Sequence, residues 1–305
     1  MKKSILAVAV AVCVAAPAIA MADATLYGHV TVAVDKVKDE KLNIGGEANS
    51  SSRIGVRGTA DTGIDGVTAL YQYEFAVNKT NGEQALKTRQ ANVGLTGNFG
   101  TVKAGTQSTP QDSWINGVTD VMLSGIQDVA HSTGTAPSRI SNSLAYVSPE
   151  FSGLQFGLAT AANSTYDDES FDLYHAAVKY SNGGFYGALG YIDYNSEAMN
   201  GDKQSEMGLA LEYNFGVGTI AGVYSHVKND IADDYKPWDI AATYNVSEST
   251  TLKAAYADFK EGAKGFGVEV QHDLSKMVNL FAGYADANED LGDGDVFSTG
   301  IRVRF

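Results

Sequence analysis

The last nine residues of the chain read FSTGIRVRF. Every second one from Phe297 is apolar or at home in lipid: Phe297, Thr299, Ile301, Val303 and Phe305. Ser298, Gly300, Arg302 and Arg304 alternate with them. A period of two residues marks a β-strand with one apolar and one wet face. The same period returns along the whole chain. Leu26, Val30, Val32 and Val34 oppose Tyr27, His29 and Thr31, and Tyr71, Tyr73, Phe75 and Val77 oppose Gln72 and Glu74. Met207, Leu209, Leu211, Tyr213 and Phe215 oppose Glu206, Glu212 and Asn214. Trp238, Ile240, Tyr244 and Val246 oppose Asp239, Thr243 and Asn245, and Phe266, Val268 and Val270 oppose Glu269 and Gln271.

Sixteen such segments follow one another: 24–35, 52–61, 66–78, 86–98, 101–107, 139–148, 153–163, 170–181, 184–195, 204–215, 218–229, 236–246, 249–260, 263–273, 278–288 and 295–305. In 184–195 and 218–229 glycine and alanine sit on both faces, so the apolar face is undecided. No segment sustains a helical period. Every second connection is tight, as at 62–65 and in the stretches PEFSG, SNGG, FGVG, VSES and DLSKM. The others are mostly longer and polar, such as 36–51, 108–138, 196–203 and 289–294.

Turns sorted by end describe a transmembrane barrel, whereas a soluble sandwich has no reason to sort them. Tyr and Phe gather near strand ends with small aliphatics between, as girdles around a lipid band do. The mean hydropathy of −0.14 fits as well, because alternating strands average to mild polarity. The expected fold is all-β, a 16-stranded antiparallel transmembrane β-barrel. An open sheet edge cannot exist in lipid, so the last strand must pair with the first.

The first stretch has a different character. Lys2 and Lys3 precede the apolar run SILAVAVAVCVAAPAIA, which is too short and wrongly flanked for a membrane helix. Small-x-small cleavage sites end at Ala20 and at Ala22. The second is favoured, giving a signal peptide over 1–22 and a barrel domain over 23–305. Cys13, the only cysteine, falls inside the signal, so the exported domain does not rest on disulfides. Loss of the two lysines takes the formal charge from −14 to −16, which argues against nucleic acid as a partner.

Several stretches together resemble the Gram-negative general-diffusion porins, the sixteen-stranded trimeric kind. They are ATLYGHV, SSRIGVRGTADTGIDGVTALYQYE, TRQANVGLTGNFGTVKAG, SRISNSLAYVSPEFSGLQFGL and the terminal RVRF, and they cover essentially the whole exported chain. The resemblance implies a homotrimer in the outer membrane of a Gram-negative bacterium, among lipid and lipopolysaccharide. It implies passive diffusion of ions and small hydrophilic solutes, with no catalysed chemistry and no cofactor. It implies that Phe305 is read by the barrel-assembly machinery. It also implies that the third long loop, 108–138, folds into the lumen and narrows it.

Within that loop, Trp114, Ile115, Val118, Val121, Met122, Leu123 and Ile126 are apolar enough to pack on something, while Asp112, Asp120 and Asp128 supply charge. Arg53, Arg57, Lys103 and Arg139 fall on the polar parity of their strands and form the expected basic wall. Arg53, Arg89 and Arg139 match positions where the family carries pore arginines. Arg89 shares parity with Val93 and Leu95, so it needs a bulge to re-aim it or a place above the bilayer. Thr106 stands where the family usually has a further arginine, which points to weak ion selectivity.

Two other readings stay open: a plugged structural or adhesive barrel, and more remotely a hydrolase assembled from distant strands. Neither has a motif, since the chain lacks G-x-S-x-G, a P-loop and C-x-x-C. The five histidines have no metal-ligand spacing, and NEDLGDGD at 288–295 lacks the twelfth-position glutamate of a calcium loop.

Overall fold

A computed structural model describes residues 23–44, 52–77, 86–126, 136–162, 171–194, 204–229, 233–259, 263–288 and 295–305. The cleavage sites, Asp128 and residues 289–294 lie outside them. In chain order the strands are β1 (Thr25–Val37), the two-residue β2 (Asn43–Ile44), β3 (Ser52–Asp61), β4 (Val67–Val77), β5 (Leu86–Gly97) and β6 (Gly100–Ser108). After a helical interruption come β7 (Arg139–Val147), β8 (Leu154–Ala161), β9 (Leu173–Asn182), β10 (Phe185–Tyr194), β11 (Gln204–Asn214) and β12 (Gly218–Asn229). The last are β13 (Trp238–Ser247), β14 (Thr250–Asp258), β15 (Lys264–Asp273), β16 (Val278–Ala287) and β17 (Val296–Arg304). Apart from the short β2, these are the sixteen expected strands, and 52–61 and 218–229 coincide residue for residue. Lengths of 8–13 residues suit tilted strands that cross a hydrocarbon core.

Each long strand pairs antiparallel with the next, and the sheet closes. The first residues of β1 pair with β3, from Thr25 opposite Arg57 to His29 opposite Arg53. The rest of β1 pairs with β17, from His29 opposite Arg304 to Val37 opposite Val296. One more rung follows at the chain end. Gly28 N–H donates to a carboxylate oxygen of Phe305 at 3.0 Å, and Phe305 N–H donates to the Gly28 carbonyl at 3.1 Å.

The outer face carries exposed aliphatics, Leu26, Val30 and Val32 on β1 and Leu209 and Leu211 on β11. Aromatic pairs stand at both ends of this band. Trp238 meets Tyr256 at 5.5 Å and Phe266 meets Tyr284 at 6.1 Å at the long-loop end, while Tyr180 meets Phe185 at 6.4 Å beside a tight turn. The two undecided strands resolve in the same way. Phe185, Leu189 and Tyr191 of β10 and Ile220 and Tyr224 of β12 are exposed. Ala188, Ile192 and Tyr194, and Ala221, Val223 and Val227, are buried on the other face.

On that inner face Ile192 and Tyr194 pack with Ala136, Ile140 and Leu173, and Ala188 and Val223 pack with Trp114 and Ile115. Past Ser108 the chain makes one wide helical turn, Gln111–Ile115, and one tight turn, Asn116–Val118, neither foreseen from the period-two pattern. Trp114 and Ile115 pack on Ala177, Ala188, Ala210 and Val223. Met122 and Ile126 pack on Ala241, Ala255 and Ala285, and Leu123 packs on Ala33 and Phe281. The small wall residues let the segment approach closely, and each buried side chain removes apolar area at about 25 cal/mol per Å². The apolar residues of the segment are therefore packed, as their composition suggested.

Candidate functional site

The site grows from an irregularity between β4 and β5. Glu74 stands opposite Gln90, but the next rung is Phe75 opposite Thr88, so Arg89 is an extra residue in β5. A bulge of this kind re-aims one side chain. It swings Arg89 off the Val93–Leu95 face and onto the inner one, where its Nε donates to Glu74 Oε1 at 2.6 Å. Of the two placements open for Arg89, the bulge is the one found.

Glu74 is the hub of this corner. It also stands 3.9 Å from the Arg53 guanidinium and accepts from the Tyr27 hydroxyl at 3.0 Å. Tyr27 in turn receives Gln72 Nε2 at 2.7 Å. Arg53 and Arg89 thus share a single carboxylate, which leaves one positive charge over from the three groups.

A second bulge lies between β6 and β7. Gly105 faces Ser143 and Gln107 faces Ile140, so Thr106 meets both Ser141 and Asn142, the latter at a φ of 50°. The extra residue puts Ile140 on the buried row with Leu173, Ile192 and Tyr194, so Arg139 does not keep the regular polar parity of its strand. From the strand end its Nη1 donates to Ser138 Oγ at 3.2 Å. It nevertheless reaches the loop acids. Burial pushes the Asp112 carboxyl above its ordinary value, and the Arg139 charge pulls it back, together with a hydrogen bond from Ser108 and the charge of Arg89. The neighbouring Asp120 adds to the upward push. Asp112 therefore feels Arg139, Arg89 and Asp120, and Arg53 interacts with Asp120 as well.

Arg57 and Lys103 sit apart from this group. Arg57 is four residues further along β3, its guanidinium 4.9 Å from the Tyr27 ring centroid. Lys103 faces Gly94 and Ala145, closer still to the tight turns.

Three wholly buried acids on alternate strands complete the inner wall: Glu206 of β11, Asp239 of β13 and Glu269 of β15. Their polar parity is plain in the sequence, but their task is not. Glu206 accepts from Gln111 Nε2 at 2.9 Å, from Ser225 Oγ at 2.9 Å and from the Ala136 N–H at 3.0 Å, joining both ends of the loop. Asp239 accepts from Thr119 Oγ1 at 3.1 Å. Glu269 takes the successive N–H groups of Leu123 and Ser124 at 2.9 and 2.8 Å, and Lys253 Nζ at 2.8 Å. Arg302 adds a bond from Nη2 to the Leu123 carbonyl at 3.1 Å. Most of these partners are backbone groups or short polar side chains, which leave no recognisable motif.

A closed antiparallel barrel with a lipid-facing exterior and a charged inner wall defines a membrane β-barrel of the channel type. Comparison with known proteins gives the family. The Gram-negative porin family matches residues 7–292. The major outer membrane protein P.IB of Neisseria lactamica is 34% identical over 349 residues, covering 100% of both chains. The fold superposes on an anion-selective porin from Comamonas acidovorans with a TM-score of 0.72 at 24% identity, over 92% of this chain and 99% of that one. It also superposes on the trimer form of OmpT from Vibrio cholerae with a TM-score of 0.71 at 18% identity, over 92% and 99%. The chain belongs to the Gram-negative porins. It is an outer-membrane channel for passive diffusion.

Proposed function

We propose that residues 109–126 form the constriction of this channel, and that ions and small hydrophilic solutes pass between Asp112 and Asp120 on one side and Arg53, Arg89 and Arg139 on the other. The observation that carries this reading is the two-sidedness of the segment. Its apolar residues and backbone N–H groups face the wall of β9–β17, while Asp112 is held in the field of Arg139 and Arg89. Charges facing each other across a narrow low-dielectric passage outweigh many on the rim.

The near balance of the two sides, with Thr106 in place of a further arginine, implies weak selectivity. The protein works as a homotrimer, exported by a signal peptide over 1–22, and catalyses no reaction. Single-channel recording in a planar bilayer tests the reading. Conductance in steps that come in threes supports it. A protein that folds and inserts but carries no current would be a plugged barrel instead.

A further inference from the structure

Below the Arg53–Arg89 corner, toward the tight turns, the lumen wall holds a recess of about 510 Å³. It is lined by Asp23, Arg57, Gln72, Asn92, Thr101 and Lys103 among others. Its two cations differ from those above. Arg53 and Arg89 are tied to Glu74, whereas the side chains of Arg57 and Lys103 make no ion pair or hydrogen bond among the described residues.

Each is nevertheless held in place. Arg57 rests on the face of Tyr27, a contact that fixes a guanidinium without consuming its N–H donors. Lys103 lays its stem on Gly94, whose missing Cβ would stand 2.9 Å from the Lys103 Cγ and 3.1 Å from Leu70 Cδ1. The stem therefore leans from β6 across β5 toward β4, the strand that carries Gln72 beside Arg57. Among the described residues the only carboxylate lining this recess is that of Asp23, which accepts from Thr59 at 3.5 Å. Two positioned cations face one acid.

We propose that this shelf is a binding site for the oxyanion group of a small solute, a carboxylate or a phosphate, gripped between Arg57 and Lys103. The assignment rests on the channel reading and adds to it a solute class and a second stop below the constriction. Two adjacent oxygens, which a carboxylate and a phosphate both present, suit the Arg57 fork, and Lys103 supplies a point charge on the far side. Affinity for the shelf must stay modest, since a solute that is to pass must also leave.

The test uses the full-length porin in a planar bilayer carrying chloride current, with succinate or inorganic phosphate added on the tight-turn side in separate arms. The shelf predicts concentration-dependent interruptions of the current, and the arm that blocks identifies the oxyanion. Lys103→Met and Arg57→Gln each weaken the block about tenfold, as loss of a charged hydrogen-bond donor does. Lys103→Arg retains it. Absence of block in both arms, block unchanged by both variants, or an equal loss in Arg53→Gln overturns the proposal. Should the folded protein carry no chloride current, the channel reading fails, and a second readout still decides the shelf. Phosphate or succinate must slow reductive methylation of Lys103, followed by peptide mass spectrometry, and no slowing by either overturns the site.

Discussion

The ring of Phe305 lies over the bare Cα of Gly28. A Cβ on Gly28 would stand 2.8 Å from the ring's Cζ and 2.3 Å from the Arg53 carbonyl oxygen. The last residue therefore does more than add a rung. It covers the only outward position of β1 between Leu26 and Val30, on the seam where the sheet closes. Deletion of Phe305 and Gly28→Val are both expected to lower the yield of folded barrel in cells, with Phe305→Trp milder than deletion. The hypothesis that Phe305 is also an assembly signal adds that the deleted chain refolds in detergent better than it assembles in cells. Heat-modifiable migration on gels reads both, and a normal cellular yield from the deleted chain would count against the signal.

Face assignment gives a prediction about stability. Leu209 and Leu211 are exposed on the outer face, while Glu212 is half-buried on the inner one. Arginine at Leu209 or Leu211 should cost roughly 2–4 kcal/mol near mid-bilayer, and arginine at Glu212 little. Unfolding by denaturant in lipid vesicles checks this, and equal costs on the two faces would contradict it.

The charges of the corner set the ion preference. Arg89→Gln leaves Glu74 with Arg53 alone at 3.9 Å, so the passage loses a cation and should favour cations more. Asp112→Asn with Asp120→Asn should move the reversal potential the other way. Both shifts should fade at high salt as the Debye length shrinks from about 10 Å at 0.1 M to about 3 Å at 1 M. If neither variant moves the potential in dilute salt, residues 109–126 do not form the constriction.

Acidification should act through Asp112 before the ordinary carboxylates. Its proton is bound more tightly than usual because burial disfavours the anion. As the pH falls, Asp112 is neutralised first, and the passage loses a negative charge beside Arg139 and Arg89. The reversal potential should thus begin to move toward anions above the pH range of exposed aspartates. Asp112→Asn should remove that early portion and leave the later one.

Glu269 is expected to be the costliest of the three buried acids to alter. Glu269→Gln strands Lys253, whose side chain is 6% exposed, without its counter-charge. Breaking a buried pair costs about 3–5 kcal/mol. Adding Lys253→Met should recover part of the stability but not the hold on Leu123 and Ser124. The double variant is therefore predicted to fold well and yet show noisier single-channel currents than the parent. Quiet currents from it would mean that Glu206, Asp239 and Arg302 hold the segment unaided.

The barrel was legible because lipid outside and water inside impose one rule on every strand. The rule blurred in β10 and β12, where the inner wall is itself apolar: Ala188, Ile192 and Val223 pack beneath the loop, so both faces read alike. Arg53, Arg89 and Arg139 could be named as pore groups, but Arg89 fits only with a bulge, and a bulge has no residue signature of its own. The division of the basic wall into a paired corner and an unpaired shelf depends on Glu74, whose place beside Arg89 comes from that same extra residue. The turn at 111–118 escaped because it rests on tertiary packing of Trp114 and Ile115 rather than on periodicity.

That extra residue in β5 also bears on how such a chain can change. Along a strand, gaining or losing one residue exchanges inside for outside for everything beyond it. At Arg89 the exchange is already made, and only the few residues toward the long loop lie beyond it. Length variation here would alter which charges look into the mouth and leave the lipid-facing band below untouched. The bulge acts as a joint between a part of the barrel that the membrane holds constant and a rim that the solutes outside are free to reshape.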